Sequence, residues 1–564
     1  MQRTSRLAGL GFLLAGLMAG GSGHAQEAGP PLPPLPQSVL QRLHSDPAVW
    51  QQFRALHAAV PPAPKAAAAA PTVAAPAWTP AWKLTLSNPL LLTDGTVLAH
   101  VSCSRAWYRL TPNIDGDYAK GTWAKIALMP AGYAPRFFSS AVLPDGRVVV
   151  EGGEYNGASC DDVETTKGAI YDPQTNAWAT LAPPSGWKSI GDASGIVLAD
   201  GTYLLSNCCT VQAATLDPAS LTWTATGTGK ADDNNEENWT LLPDGDVLTV
   251  DAYTAGPTGG AIACGTGAEE YVPGTGDWVS AGSTIHRLSG CGYKIRTYEA
   301  PTQILRPVGK VVAFGSSAST AAENFPVYTA IYTASTGTWA SGPRMPEVSG
   351  QYYTMADAPA AILPNGDILL AASPGVWTSD SSYPAPTHFF TFDGATFTQV
   401  GDVADSSQLS SYEMNFLVLP SGQILGVETD FANTEILPPI GSAKGAWAPY
   451  DIVLSSRTLT AGDTYTLTGK QLSGLTQGAA YGDDAQADTN FPLVRITNDA
   501  TGHVFYARTF GFGRSVAPGA AGAASFVVSA KTEAGAGTLE VVANGIASTA
   551  LKVTIKAATV ASAE

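Results

Sequence analysis

Short apolar runs separated by polar turns recur from Trp78 to Pro439, and residues 136–153, RFFSSAVLPDGRVVVEGG, are the clearest instance. A polar entry leads into an apolar run, a Pro-Asp-Gly turn, a β-branched run and a pair of glycines. Two apolar runs joined by such a turn predict a β-hairpin. Turn cores recur at Asp94-Gly95, Asp145-Gly146, Asp200-Gly201, Asp244-Gly245, Val308-Gly309, Asn365-Gly366 and Ser421-Gly422. The seven copies lie 44 to 64 residues apart, so one supersecondary unit is repeated along most of the chain.

A second signal follows each turn. Trp178, Trp223, Trp278 and Trp339 come after Tyr171, Leu216, Tyr271 and Tyr332, and Trp123 and Phe397 hold the same place in the first and sixth copies. Such an aromatic is expected to end the outer strand of a four-stranded sheet. The seventh copy lacks one, while Trp82 precedes the first turn and belongs to no earlier copy. If the strand carrying Trp82 completes the seventh sheet, both irregularities vanish and the ring closes without exposed edges. Beyond Pro439, runs such as TYTLTG, PLVRITN, ASFVVSA and ALKVTI alternate in the manner of a separate sandwich. The expected architecture is all-β: a seven-bladed β-propeller over 78–445, an immunoglobulin-like β-sandwich over 446–557 and a disordered tail over 558–564.

The first 25 residues carry Arg3 and Arg6, an apolar run from Leu7 to Met18 and small residues up to Ala25, the pattern of a secretory signal whose apolar run is too short to span a bilayer. Residues 26–77 are rich in Pro and Ala and predict a spacer with one short helix within 39–60. No later segment is long and apolar enough to act as an anchor, so the chain is expected to be secreted or periplasmic, without a membrane span and monomeric. A net charge of −17 excludes a nucleic-acid surface, which needs a basic stripe. Export makes the six cysteines candidates for three disulfides, with Cys208-Cys209 adjacent, Cys264 and Cys291 flanking one loop, and Cys103 and Cys160 in neighbouring repeats.

Chemistry is expected where the innermost strands begin, because these positions converge at one face of a propeller. Aligned on the apolar strand, the first two copies have Leu86 and Phe137, and the next five have Asp192, Glu236, Glu299, Asp357 and Glu413. Five carboxylates in register, in a chain with only 14% charged residues, admit two explanations. They hold a hard cation of the calcium type, with Asn238 and Asn415 nearby, or they accept backbone hydrogen bonds from the next blade and tie the ring together. DDNNEEN, residues 232–238, reads as a solvated loop whose end enters the ring.

The hairpin-plus-Trp copies followed by a sandwich, with SYEMNFLVLPSG, NTEILPP and GTLEVVANGIASTALKVTI in order, resemble the kelch-type galactose oxidase and glyoxal oxidase family over residues 78–557. The resemblance implies one copper and a tyrosyl radical cross-linked to a cysteine, used to oxidise alcohols or aldehydes with O₂. This chain departs from that pattern at the ligands. Tyr412-Glu413 stands where the family has Tyr-His, Phe137 where it has the radical tyrosine, Asn88 near its cysteine, and Thr509-Phe510 where a Thr-His is expected. A phenyl ring offers no oxygen for copper and no phenol to oxidise. His503 opens a hairpin strand and is a poor substitute.

The expectation is therefore an exported binding protein rather than a copper oxidase. Its ligand would be an extracellular or envelope glycan or protein, held at Asp192, Glu236, Glu299, Asp357, Tyr412 and Glu413. The alternatives are a hydrolase or hard-metal enzyme using the same carboxylates, with Tyr412 and Glu413 as catalytic candidates, and an oxidase with altered ligands.

Overall fold

The computed structural model describes residues 76–558, apart from 252–253, 256–261, 264, 290–298, 300, 320–321 and 377–382. The signal segment, nearly all of the spacer with its helix, Cys264, Cys291 and residues 559–564 lie outside the described residues. Among the described residues the only helical elements are two short 3₁₀ turns, Ser411–Glu413 and Gly445–Trp447, and no helix is long and apolar enough to cross a membrane.

The chain is all-β. Each of the seven sequence copies forms its own antiparallel set of four strands, and six of these are separate four-stranded sheets. In the first, the strands Ser87–Leu91, Val97–His100, Trp107–Thr111 and Thr122–Lys125 lie side by side in chain order. The sixth set, Ala360–Ile362 to Phe397–Gln399, belongs to a larger sheet. The seventh is completed from the other end of the chain: Thr79–Trp82 pairs antiparallel with Thr434–Leu437, outside Ile424–Glu428 and Met414–Val418. The strand containing Trp82 thus supplies what the seventh copy lacks.

Turn chemistry explains the repeat. All seven turn glycines adopt positive φ, from 73° at Gly309 to 99° at Gly245, where a side chain would be strained. In each copy the glycine N–H donates to the carbonyl three residues back, as Gly146 does to Leu143 at 2.9 Å. The preceding acid or amide fixes the return strand: Asp94, Asp145, Asp200 and Asn365 accept the backbone N–H two residues on at 2.9–3.1 Å.

The recurrent tryptophan ties successive sheets together. The indole N–H groups of Trp178, Trp223 and Trp339 donate to the carbonyls of Ala127, Ala182 and Ala281 at 3.0, 2.8 and 3.1 Å. Each acceptor lies at or just past the outer strand of the preceding set. The ring face meanwhile packs on the aromatic that precedes it, Tyr171 against Trp178 and Tyr332 against Trp339 with centroids 4.9 and 5.0 Å apart. A disulfide joins Cys103 to Cys160 between the first two copies, and a second joins the adjacent Cys208 and Cys209.

The C-terminal strands, from Tyr450–Leu454 to Leu551–Lys556, form a further nine-stranded assembly in which Thr458–Thr460 pairs parallel with the last strand. Between Thr464–Lys470 and Leu493–Asn498 the alternation stops. Every residue from 471 to 492 is buried, although the segment contains only one short strand, Ala479–Ala480. That strand adds to the edge of Ala360–Ile362 in the sixth set, so a loop of the C-terminal assembly is built into the repeat region.

Candidate functional site

One cavity of about 190 Å³ gathers most of the register residues: Phe137, Asp192, Glu236, Glu299 and Asp357 line it, together with Tyr412. Their placement follows from the repeat, since each precedes the innermost strand of its own set. The backbone is strained at several of these positions, with φ of +49° at Phe137, +55° at Glu236 and +44° at Asp357. Left-handed backbone at residues other than Gly, Asn or Asp is uncommon and concentrates at ligand sites.

The structure does not bring Glu413 into the cavity lining. Its carboxylate turns back to accept the Ser410 N–H at 2.8 Å and completes a capping box on the 3₁₀ turn Ser411–Glu413. Leu86 is buried core. Asn88 and Asn415 meet just outside the cavity, where Asn415 accepts the Asn88 N–H at 3.2 Å.

Sequence reasoning missed the other half of the wall. Tyr481, Asp483 and Asp484, from the buried loop 471–492, face Asp192, Glu236 and Asp357 across the same space, with Glu154 and Tyr383 beside them. The loop is locked in by side chains of the repeat region. Asn238 donates to the carbonyls of Tyr481 and Gly482, Gln477 accepts the Leu241 N–H at 2.7 Å, and Asp484 accepts the Phe138 N–H at 2.9 Å. Gly482 is required here, because a Cβ at that position would lie 2.5 Å from the Asp357 carboxylate.

Two further expectations are corrected. Thr509 and Phe510, which stand where the resemblance implies a Thr-His, do not line the cavity. Thr509 is buried within Val504–Phe510 and donates to Pro492 O at 2.6 Å, because the alternating run continues as a strand. Residues 232–238 are not a solvated loop either: Asp232, Asn234, Glu237 and Asn238 are buried. The charge is tolerated because buried Lys230 donates to Asp232, Glu237 and Glu269 at 2.5, 2.8 and 2.6 Å. His503 immediately precedes the strand Val504–Phe510 and pairs with Glu533 at 2.7 Å.

The electrostatics of the two acidic groups differ. Around Lys230 the carboxylates have a cation of the protein's own. Around the cavity no Lys or Arg is among the described lining residues, and nearby Arg136 is held by Asp430 through contacts of 3.2 and 2.8 Å. Burial, reinforced by neighbouring carboxylates, pushes Asp192, Glu236, Asp357 and Asp483 well above the usual carboxylate range. Burial likewise lifts Glu154 and Asp484 to about 7, the latter opposed by backbone N–H donors. Among the described residues, no neighbouring set donates a backbone N–H to the carboxylates of Asp192, Glu236, Glu299 or Asp357.

Oxygens of Asp192, Glu236 and Asp483 lie within 4.8 Å of one another, as do those of Glu236, Glu299 and Asp357. Such all-oxygen sets suit hard cations, whereas copper favours imidazole, and no histidine is among the described lining residues.

No family profile and no curated protein matches the chain in sequence. In structure the chain is similar to a fungal alcohol oxidase of the AA5 family in complex with copper, 16% identical over 86% of this chain and 100% of that one, with a TM-score of 0.44. It is also similar to a catalytically inactive virginiamycin B lyase from Staphylococcus aureus with quinupristin, 9% identical over 64% of this chain and 98% of that one, with a TM-score of 0.41.

Proposed function

We propose that the chain is an exported seven-bladed kelch-type propeller, closed by Thr79–Trp82 and followed by an immunoglobulin-like sandwich, whose axial cavity binds a hard divalent cation and, through it, an oxygen-rich ligand such as an envelope glycan. The observation that carries this reading is the contrast between two acidic groups, one around Lys230 and one around the cavity. One has a cation of its own, Lys230, bonded to Asp232, Glu237 and Glu269. The other, around half-buried Asp192, Glu236 and Asp357 and buried Asp483, has no Lys or Arg among its described lining residues, so its carboxyls either stay protonated or take a cation from outside.

A cavity of about 190 Å³ admits an ion and the contacting group of a ligand rather than the whole of it. Binding rather than copper-radical oxidation is supported by Phe137, which presents a phenyl ring where a phenol would be needed. The test is a thermal melt and a glycan-array screen of the purified chain with Ca²⁺ and with chelator. Stabilisation by Ca²⁺ and glycan binding lost on chelation are expected. No bound divalent cation and a Tm indifferent to chelator would overturn the reading.

A further inference from the structure

Resting on that cation reading, we infer that the cavity holds two divalent cations, with Glu236 shared between them. Glu236 is common to two sets of three carboxylates, Asp192–Glu236–Asp483 and Glu236–Glu299–Asp357. Calcium-type ions take oxygens at about 2.3–2.6 Å, so oxygens on opposite sides of one ion lie about 5 Å apart. Each set, with its oxygens within 4.8 Å, closes around one such ion.

A second observation points to a ligand independently of the clustering. Asp483 is only 3% exposed, lines the cavity, and leaves Oδ2 without a hydrogen-bond partner. Asp357 Oδ1, in the same cavity lining, is likewise unpartnered. Buried acceptors of this kind are normally satisfied, and these two belong to different sets. Each carries one of the two ions away from the shared Glu236.

Charge gives the same count. The two sets together contain five carboxylates, Asp192, Glu236, Glu299, Asp357 and Asp483. With all five ionised, about three negative charges would remain beside one divalent ion and about one beside two. Three protein oxygens per ion fall short of the six to eight that calcium takes, so the open positions go to water or to ligand oxygens. Two adjacent ions then select vicinal hydroxyls, as on a neutral sugar, over a second anion.

The test is calorimetric titration of the whole chain with Ca²⁺ and with Mn²⁺. Two ions per chain are expected in the wild type. Asp483→Asn and Asp357→Asn should each retain one ion, and Glu236→Gln should weaken both by tenfold or more. The Mn²⁺-loaded wild type should give an exchange-coupled paramagnetic resonance signal, a readout that needs no variant to fold. One ion per chain with an isolated six-line signal overturns the pair while leaving the single-cation reading standing; no ion overturns both.

Discussion

The phenol of Tyr481 donates to the backbone carbonyl of Tyr412 at 2.6 Å, joining the buried loop of the C-terminal assembly to the residue that enters the seventh set. Both residues line the cavity. Tyr481 is buried, and burial together with Asp484, Asp357 and Asp483 pushes its phenol well above 10, so it stays a neutral donor. Tyr481→Phe removes this bond and nothing of the ring's packing. A loss of about 1 kcal/mol is expected in a denaturant titration, with a weaker cation affinity because Asp483 and Asp484 ride on the same loop. Unchanged affinity beside the lost stability would show that the loop holds its place without this contact.

Closure of the seventh set gives a stronger prediction. Trp78, just before the closing strand Thr79–Trp82, stacks on Phe416 at 5.6 Å and meets Phe389 edge-on at 5.5 Å. Gly426 is the floor of this pocket, since a Cβ there would lie 2.8 Å from the Trp78 ring. Trp78→Ala should cost about 3–5 kcal/mol, and Gly426→Ala should destabilise by forcing the ring outward. Equal melting of wild type and Trp78→Ala would mean that the N-terminal strand is not what holds the sheets together.

These elements differ in how far the sequence discloses them. The turns and register carboxylates are legible because each carboxylate stands nine or ten residues before a turn glycine, Asx-Gly in most copies, whose local chemistry fixes the strands around it. Closure is legible because one copy lacks an aromatic that Trp82 can supply. Loop 471–492 is not legible: its burial comes from partners such as Asn238 and Asp357, hundreds of residues away, and it has neither strand nor helix period. Its one local sign is the break in alternation at QLSGLTQGAAYGDDAQADTNF, which carries three aspartates without a lysine or arginine. The misreading of 232–238 has the same root. Charge density suggests solvent until Lys230, two residues upstream, is counted as its counter-charge.

Lys230 therefore invites its own test. Burial would push its ammonium down, but Glu237, Asp232 and Glu269 outweigh that and hold it well above 10.5. It also sits over the Trp278 ring at 5.2 Å. Lys230→Met keeps the stem and removes the charge, leaving Asp232, Glu237 and Glu269 facing one another. The expected cost is about 3–5 kcal/mol at pH 7, smaller at low pH where the carboxylates protonate. A neutral effect at pH 7 would refute the view that this lysine is what allows the acidic loop to be buried.

The last prediction concerns pH. Glu428 is buried in the seventh set, and burial, then Asp405 and Glu435, raise its carboxyl from an ordinary 4.5 to about 8, opposed by Lys83. The folded state thus holds this proton more tightly than the unfolded chain. Its contribution to stability is fully present below the unfolded value and is lost as pH rises through the folded one. Other buried carboxyls, Asp192 and Asp357 among them, slope the same way, so the difference between wild type and a single variant is what isolates Glu428. Glu428→Gln keeps the shape and abolishes the titration. Its Tm should match the wild type near pH 4.5 and exceed it above pH 8, where the raised pKa corresponds to a stability gain of at most about 4–5 kcal/mol. A difference that stays constant between the two conditions would show that Glu428 titrates alike in the folded and unfolded chains.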